Sequence, residues 1–136
     1  MTDLELMRLA EDARAYSYTP YSHFAVGAAL LTKSGKVYTG CNIENASYTP
    51  TVCAERTAVF KAVSEGEREF AAIAIIGGSA GQKGHFCAPC GVCRQVLREF
   101  CALDFRILLG TTEEVKSYTL ADLLPTSFAP SDLKGE

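Results

Sequence analysis

The chain has 136 residues, 48% of them hydrophobic, and a formal charge of −3, which suits one globular domain over residues 1–136 and leaves too little length for two cores. Its 13 lysines and arginines are scattered among 16 acidic residues, so the basic patch that holds a phosphate backbone is missing and no nucleic acid partner is expected. The longest apolar stretch, Phe70 to Ile76, is far too short to cross a bilayer, and the first residues are charged (Asp3, Glu5, Arg8, Glu11, Asp12) where an export signal is apolar. The expectation is a cytoplasmic chain with no membrane partner.

Thr2 and Glu5 form a capping-box pattern, and Leu4, Met7 and Ala10 recur at helical spacing, which predicts a helix up to about Tyr16. Val26 to Thr32 and Val37 to Cys41 read as two antiparallel strands turned by Lys33-Ser34-Gly35-Lys36. A second helix is expected from near Thr51, with Cys53 in its first turn and a stop by Gly66. The unbroken apolar run Ala71 to Gly77 predicts a buried central strand, Gly91 to Phe100 a helix opened by Cys90 and Cys93, and Phe105 to Leu109 another buried strand. Val115 to Tyr118 and a short helix, Leu120 to Leu124, stopped by Pro125, complete the order αββαβαβ(β)α. That order belongs to the α/β class, as a three-layer α/β/α sandwich with a central mixed β-sheet.

Six cysteines (Cys41, Cys53, Cys87, Cys90, Cys93, Cys101) without an export signal point to metal binding or catalysis rather than to disulfides. Cys53, followed later by Pro89-Cys90-Gly91-Val92-Cys93, offers three soft ligands to one tetrahedral zinc per chain and leaves the fourth position to water. Glu55, within Cys53-Ala54-Glu55, is a carboxylate able to take a proton from that water and pass it on. Two residues separate it from Cys53, so both reach the metal only if the helix meets it end-on. Helix N-termini at both ligand segments would stabilise thiolate sulfur. Three thiolates leave a zinc site with excess negative charge, which Arg56, three residues after Cys53 on the same side, can offset; Arg94 and Gln95 are weaker candidates. Two rivals use the same cysteines. A non-catalytic zinc module would need a fourth protein ligand, and an iron-sulfur cluster built on Cys87-x-x-Cys90-x-x-Cys93 would need a cysteine where Leu97 stands. Cys41, Cys87 and Cys101 are expected to be plain buried thiols.

At these residues the chain resembles the cytidine deaminase family, in the compact homotetrameric form that carries Cys-Ala-Glu where related deaminases have His-x-Glu. The likeness continues through Pro20 to Ala29, Gly40 to Ala46 and Leu123 to Phe128. It implies hydrolytic removal of the amino group at C4 of cytosine, with cytidine and 2′-deoxycytidine as substrates and Glu55 carrying protons to the ring and to the departing ammonia. The resemblance further implies Asn42 and Glu44 at the ribose, Phe24 along the nucleoside, and the Ala54 backbone beside the base. Tyr48 and Phe128 would complete a neighbouring subunit's pocket in a homotetramer with shared active sites, Phe128 stacking on the pyrimidine. Strand alternation agrees with the Asn42 and Glu44 pair, since residues i and i+2 face one way. Two features depart from the family pattern: Ala88 stands where serine is common, and the Gly77 to Cys87 segment is longer and adds Cys87. A blasticidin-S-type deaminase shares the metal motifs, but Asn42-Ile43-Glu44-Asn45 favours ordinary nucleosides.

Overall fold

Two strands with almost no polar residues form the middle of the sheet. In the computed structural model, which describes residues 1–135 and leaves the expected domain limit Glu136 outside the described residues, β3 (Phe70–Ser79) and β4 (Arg106–Gly110) run parallel with Ile73 opposite Ile107 and Ile75 opposite Leu109. Both faces of these strands are covered, which is why their apolar runs lack alternation. β1 (Phe24–Thr32) flanks β3, β2 (Val37–Cys41) flanks β1, and β5 (Val115–Thr119) flanks β4, each antiparallel to its neighbour, giving the order β2-β1-β3-β4-β5.

Helices cover the two faces. α1 (Asp3–Ala13), opened by the Thr2–Glu5 capping box, presses Leu6, Met7 and Ala10 onto Ala29, Ala74, Ile76 and Leu108. On the opposite face α2 (Ala54–Ser64) and α3 (Gly91–Phe100) bury Ala58, Val59, Ala62 and Leu97 against Leu30, Ile73, Ile75, Ile107 and Leu109. Each large side chain so buried contributes on the order of 1.5–3 kcal/mol. The result is the expected α/β/α sandwich with a mixed sheet. Two glycines let helices approach: a Cβ on Gly27 would lie 1.9 Å from Ala10 O, and one on Gly40 would lie 2.4 Å from Ala54 O and 2.6 Å from Ala58 N.

Several limits differ from the sequence reading. α2 begins at Ala54, with Cys53 as its extended N-cap rather than a first-turn residue, because Val52 exchanges two 3.0 Å backbone hydrogen bonds with Ile43 and is held extended. β1 starts at Phe24, two residues early, and β3 reaches Ser79, because Phe24 pairs with Ser79 and Ala25 with Gly78. The first helix becomes a 3₁₀ turn over Arg14–Tyr16. After α4 (Leu120–Leu123), an unpredicted α5 (Pro130–Lys134) starts where Pro130 takes the first helical position and Asp132 accepts the Ala129 N–H at 2.8 Å. Among the described residues no helix is long and apolar enough to cross a membrane.

Candidate active site

The N-termini of α2 and α3 converge. Cys53 caps α2 and Cys90 caps α3, while Cys93, buried in the first turn of α3, donates its backbone N–H to Cys90 Sγ at 3.4 Å. All three sulfurs lie within 4.8 Å of one another, Cys53 to Cys90 at 3.5 Å and Cys90 to Cys93 at 3.3 Å. A tetrahedral zinc with Zn–S near 2.3 Å needs sulfurs about 3.8 Å apart, so the triad accepts one ion after a small outward shift. Neither Cys41, Cys87 nor Cys101 joins that cluster, and all six cysteines are unpaired. The closed four-ligand module and the iron-sulfur cluster thus lack their further ligand among the described residues.

Because Cys53 is the cap, Glu55 occupies the first turn of a helix that meets the cluster end-on, the geometry its spacing required. The Glu55 side chain is almost fully buried, with the residue 3% exposed, and this burial, aided by negative charge on Cys53, pushes its carboxyl above the ordinary range. A hydrogen bond from Cys93, opposed by burial and assisted by Arg56, holds the Cys53 thiol down at about 5, whereas Cys93, as that donor and a buried group, is pushed up. Arg56 Nη2 lies 3.5 Å from Cys53 Sγ, and the bond to that sulfur raises its own proton affinity. Arg94 is turned elsewhere, donating to Pro89 O at 2.8 Å and Leu123 O at 2.7 Å, and Gln95 Nε2 donates to Phe128 O at 2.9 Å. Of the three polar candidates for charge compensation, only Arg56 reaches a ligand sulfur.

A cavity of about 180 Å³ opens beside Cys53 and Glu55, lined also by Val26, Asn42, Ala54, Cys87 and Cys90. The Asn42 carboxamide braces its wall, accepting the Val26 N–H at 2.9 Å and donating to Phe24 O at 2.8 Å. Glu44 and Tyr48 line a neighbouring surface cavity of about 400 Å³ with Tyr21, Ser22 and Asn45; Thr51 borders both. The Glu44 carboxylate accepts the Ser22 hydroxyl and the Tyr21 and Ser22 N–H groups, and the Ser22 hydroxyl bond chiefly holds it below the usual range. Phe24 stands at the edge of the site against His85, with ring centroids 6.2 Å apart, while the Tyr48 and Phe128 rings are exposed.

A family model described as the cytidine and deoxycytidylate deaminase zinc-binding region matches residues 1–109. The chain belongs to that family. It is 46% identical over 130 residues to the cytidine deaminase of Sporosarcina psychrophila, covering 95% of this chain and 93% of that protein. With the cytidine deaminase of Halalkalibacterium halodurans the identity is 47% over 129 residues, covering 94% and 95%. The crystal structure of cytidine deaminase from Burkholderia pseudomallei matches with a TM-score of 0.85 at 47% identity, over 94% of this chain and 100% of that one.

Within this deaminase family member the donor set and the zinc-binding family region make zinc the resident metal, one per chain, at Cys53, Cys90 and Cys93. Cys101 is buried as expected, but Cys41 and Cys87 are only half-buried, and Cys87 lines the cavity. Burial, and then the charges of Glu55 and Cys53, push the Cys87 thiol up to about 11. Sequence reasoning missed this placement, although adjacency to Ala88-Pro89-Cys90 was its signal. Arg14, the buried arginine that follows α1, was also missed, and nothing in its helical pattern marks it.

Proposed function

We propose that the chain removes the amino group of cytidine and 2′-deoxycytidine by hydrolysis, and that residues 1–136 act as one deaminase domain. The observation that carries this reading is a buried carboxylate, Glu55, that lines one cavity with Cys53 and Cys90, whose sulfurs cluster with that of Cys93 where two helix ends meet. Zinc, when bound, lowers the pKa of a water in its open position. Glu55 would accept a proton from that water and return protons to N3 and to the exocyclic nitrogen. As oxygen bonds to C4 and the C4–N4 bond breaks, uridine and ammonia leave and the atoms of one water are accounted for. Helix N-termini behind Cys53 and Cys90, together with Arg56, offset thiolate charge and keep the site electrophilic.

Asn42, Glu44, Phe24 and the Ala54 backbone are assigned to nucleoside binding, and Tyr48 and Phe128 to a neighbour's site in a homotetramer. Support comes from size and exposure: the cavity of about 180 Å³ is smaller than the roughly 300 Å³ at which ligand pockets begin, and the Tyr48 and Phe128 rings are left exposed by their own chain. A cytoplasmic setting is supported by six unpaired cysteines. The test is loss of cytidine absorbance with ammonia release, compared for cytidine, 2′-deoxycytidine, their monophosphates and blasticidin S. Turnover of the two nucleosides is expected; preference for blasticidin S or no release of ammonia would refute the reading.

A further inference from the structure

Helix α1 covers the face of the sheet opposite the metal centre, yet two polar side chains, Glu11 in its last turn and Arg14 just after it, reach around the sheet end to the segment that becomes the cavity wall. Arg14, only 7% exposed, donates through Nε to Ala25 O at 2.7 Å, through Nη2 to Ser79 O at 3.2 Å and through Nη1 to Gln82 O at 2.9 Å. Nη1 also pairs with Glu11 Oε1 at 2.7 Å, and that same oxygen accepts the Gly84 N–H at 3.3 Å. These partners belong to the start of β1, the end of β3 and the loop that follows. A buried guanidinium with this many fixed acceptors differs from an exposed ion pair, whose geometry is weakly held.

Glycines make the fit possible. A Cβ on Gly78 would lie 3.2 Å from Arg14 Nη2, and one on Gly84 would lie 2.4 Å from Glu11 Oε2. Beyond Gly84 the loop returns to the sheet through two backbone bonds between Gly77 and His85, at 3.2 and 2.8 Å. Cys87 and Ala88 then enter the cavity wall beside Cys90. Among the described residues, the only side-chain ion pair from the loop itself, Lys83 with Glu113, is exposed.

We propose that Arg14 and Glu11 are positioning residues that hold residues 79–85 against the sheet end and so fix where Cys87 and Ala88 stand in the substrate cavity. The inference rests on the deaminase reading of that cavity. Its effect falls on substrate fit rather than on the metal, because the Cys53, Cys90 and Cys93 sulfurs are fixed by α2 and α3. A pocket wall displaced by about 1 Å can cost up to about 10²-fold in substrate positioning.

The test compares zinc-loaded wild-type protein with Arg14→Lys and Gly84→Ala. Lysine keeps the charge and loses the planar fork; alanine at position 84 keeps both side chains of the pair but crowds Glu11 Oε2, Ile76 Cγ1 at 2.7 Å and Arg14 Nη1 at 3.0 Å, which pushes the loop off them. Both should raise KM for cytidine on the order of tenfold, leave kcat within about twofold and retain one zinc per chain. Amide exchange should quicken in residues 80–88 and stay unchanged in α2 and α3. A purely stabilising pair would lower Tm and leave KM alone, and that outcome, or unchanged exchange in 80–88, would overturn the proposal. Should Arg14→Lys fail to fold, Gly84→Ala decides alone. A wild-type chain unable to turn over cytidine would sink the functional reading, and loop exchange would then decide the positioning role by itself.

Discussion

The metal centre and the exposed aromatic residues assigned to nucleoside binding are assembled by opposite means. Cys53, Glu55, Cys90 and Cys93 are locked at two helix N-termini, with Glu55 and Cys93 buried and the helix bodies packed on the central strands. Phe24, Tyr48 and Phe128 project from strand start and loops, and Tyr48 and Phe128 are 73% and 57% exposed. One half is finished inside the chain, whereas the other presents large apolar rings to solvent, as the proposed neighbour-completed pocket requires. Chemistry and recognition can therefore be broken separately.

The largest separation is expected at Glu55. Glu55→Gln should retain one zinc per chain and an unchanged Tm while turnover falls about 10²–10⁴-fold, the contribution of general acid/base catalysis. Metal analysis alongside ammonia release checks this, and near-wild-type turnover in a zinc-replete preparation would remove Glu55 from the mechanism.

Phe128→Ala attacks the other half. Stacking of a base on an aromatic ring is worth about 1–3 kcal/mol, so kcat/KM for cytidine should fall roughly 5- to 150-fold with zinc retained. If the ring serves a neighbour, unfolding Glu55→Gln and Phe128→Ala together and reassembling them should recover activity. Verified subunit mixing without recovery would show that each chain uses its own Phe128.

Gly40→Ala tests whether the centre depends on close helix packing. The added methyl would strike the backbone of α2 at Ala54 O and Ala58 N, and overpacking of this kind costs about 1–3 kcal/mol. Tm should drop, and weaker zinc retention should follow because the same turn carries Cys53 and Glu55. An unchanged Tm with full zinc would mean that α2 moves freely over β2.

The layered fold was legible because the central strands are apolar without interruption and the helices are periodic. The ligands were legible because their chemistry is local: Cys-Ala-Glu and Cys-Gly-Val-Cys each sit at one helix start. The position of Cys53 as a cap was harder, since it depends on Val52 pairing with Ile43 across a loop. Arg14 was out of reach for the same reason, and so was the packing of Cys87 against Gly77, although its place beside Ala88-Pro89-Cys90 was legible. Their partners, Ser79, Gln82 and Gly77, become neighbours only after β1 pairs with β3 and the long loop folds back.

α3 contains a smaller version of the same contrast. Cys90 and Cys93 stand at its N-terminus as metal ligands, whereas Cys101 caps its C-terminus, buried in the core, where burial pushes the thiol up to about 12 despite the nearby charges of Arg98 and Lys33. The folded state therefore binds this proton more tightly than the unfolded chain, in which a thiol titrates at 9.0. Stability from Cys101 is fully present below pH 9 and is lost as pH rises toward 12, by up to about 1.4 kcal/mol per pH unit. At pH 10 the effect should be on the order of 1 kcal/mol. Cys101→Ala should start less stable at pH 8 because it leaves a small cavity, yet its denaturation midpoint should fall less steeply between pH 9 and 11 than that of the wild type. Parallel slopes for the two proteins would mean that the Cys101 thiol titrates alike in the folded and unfolded states, and the asymmetry between the two ends of α3 would then lie in ligand placement alone.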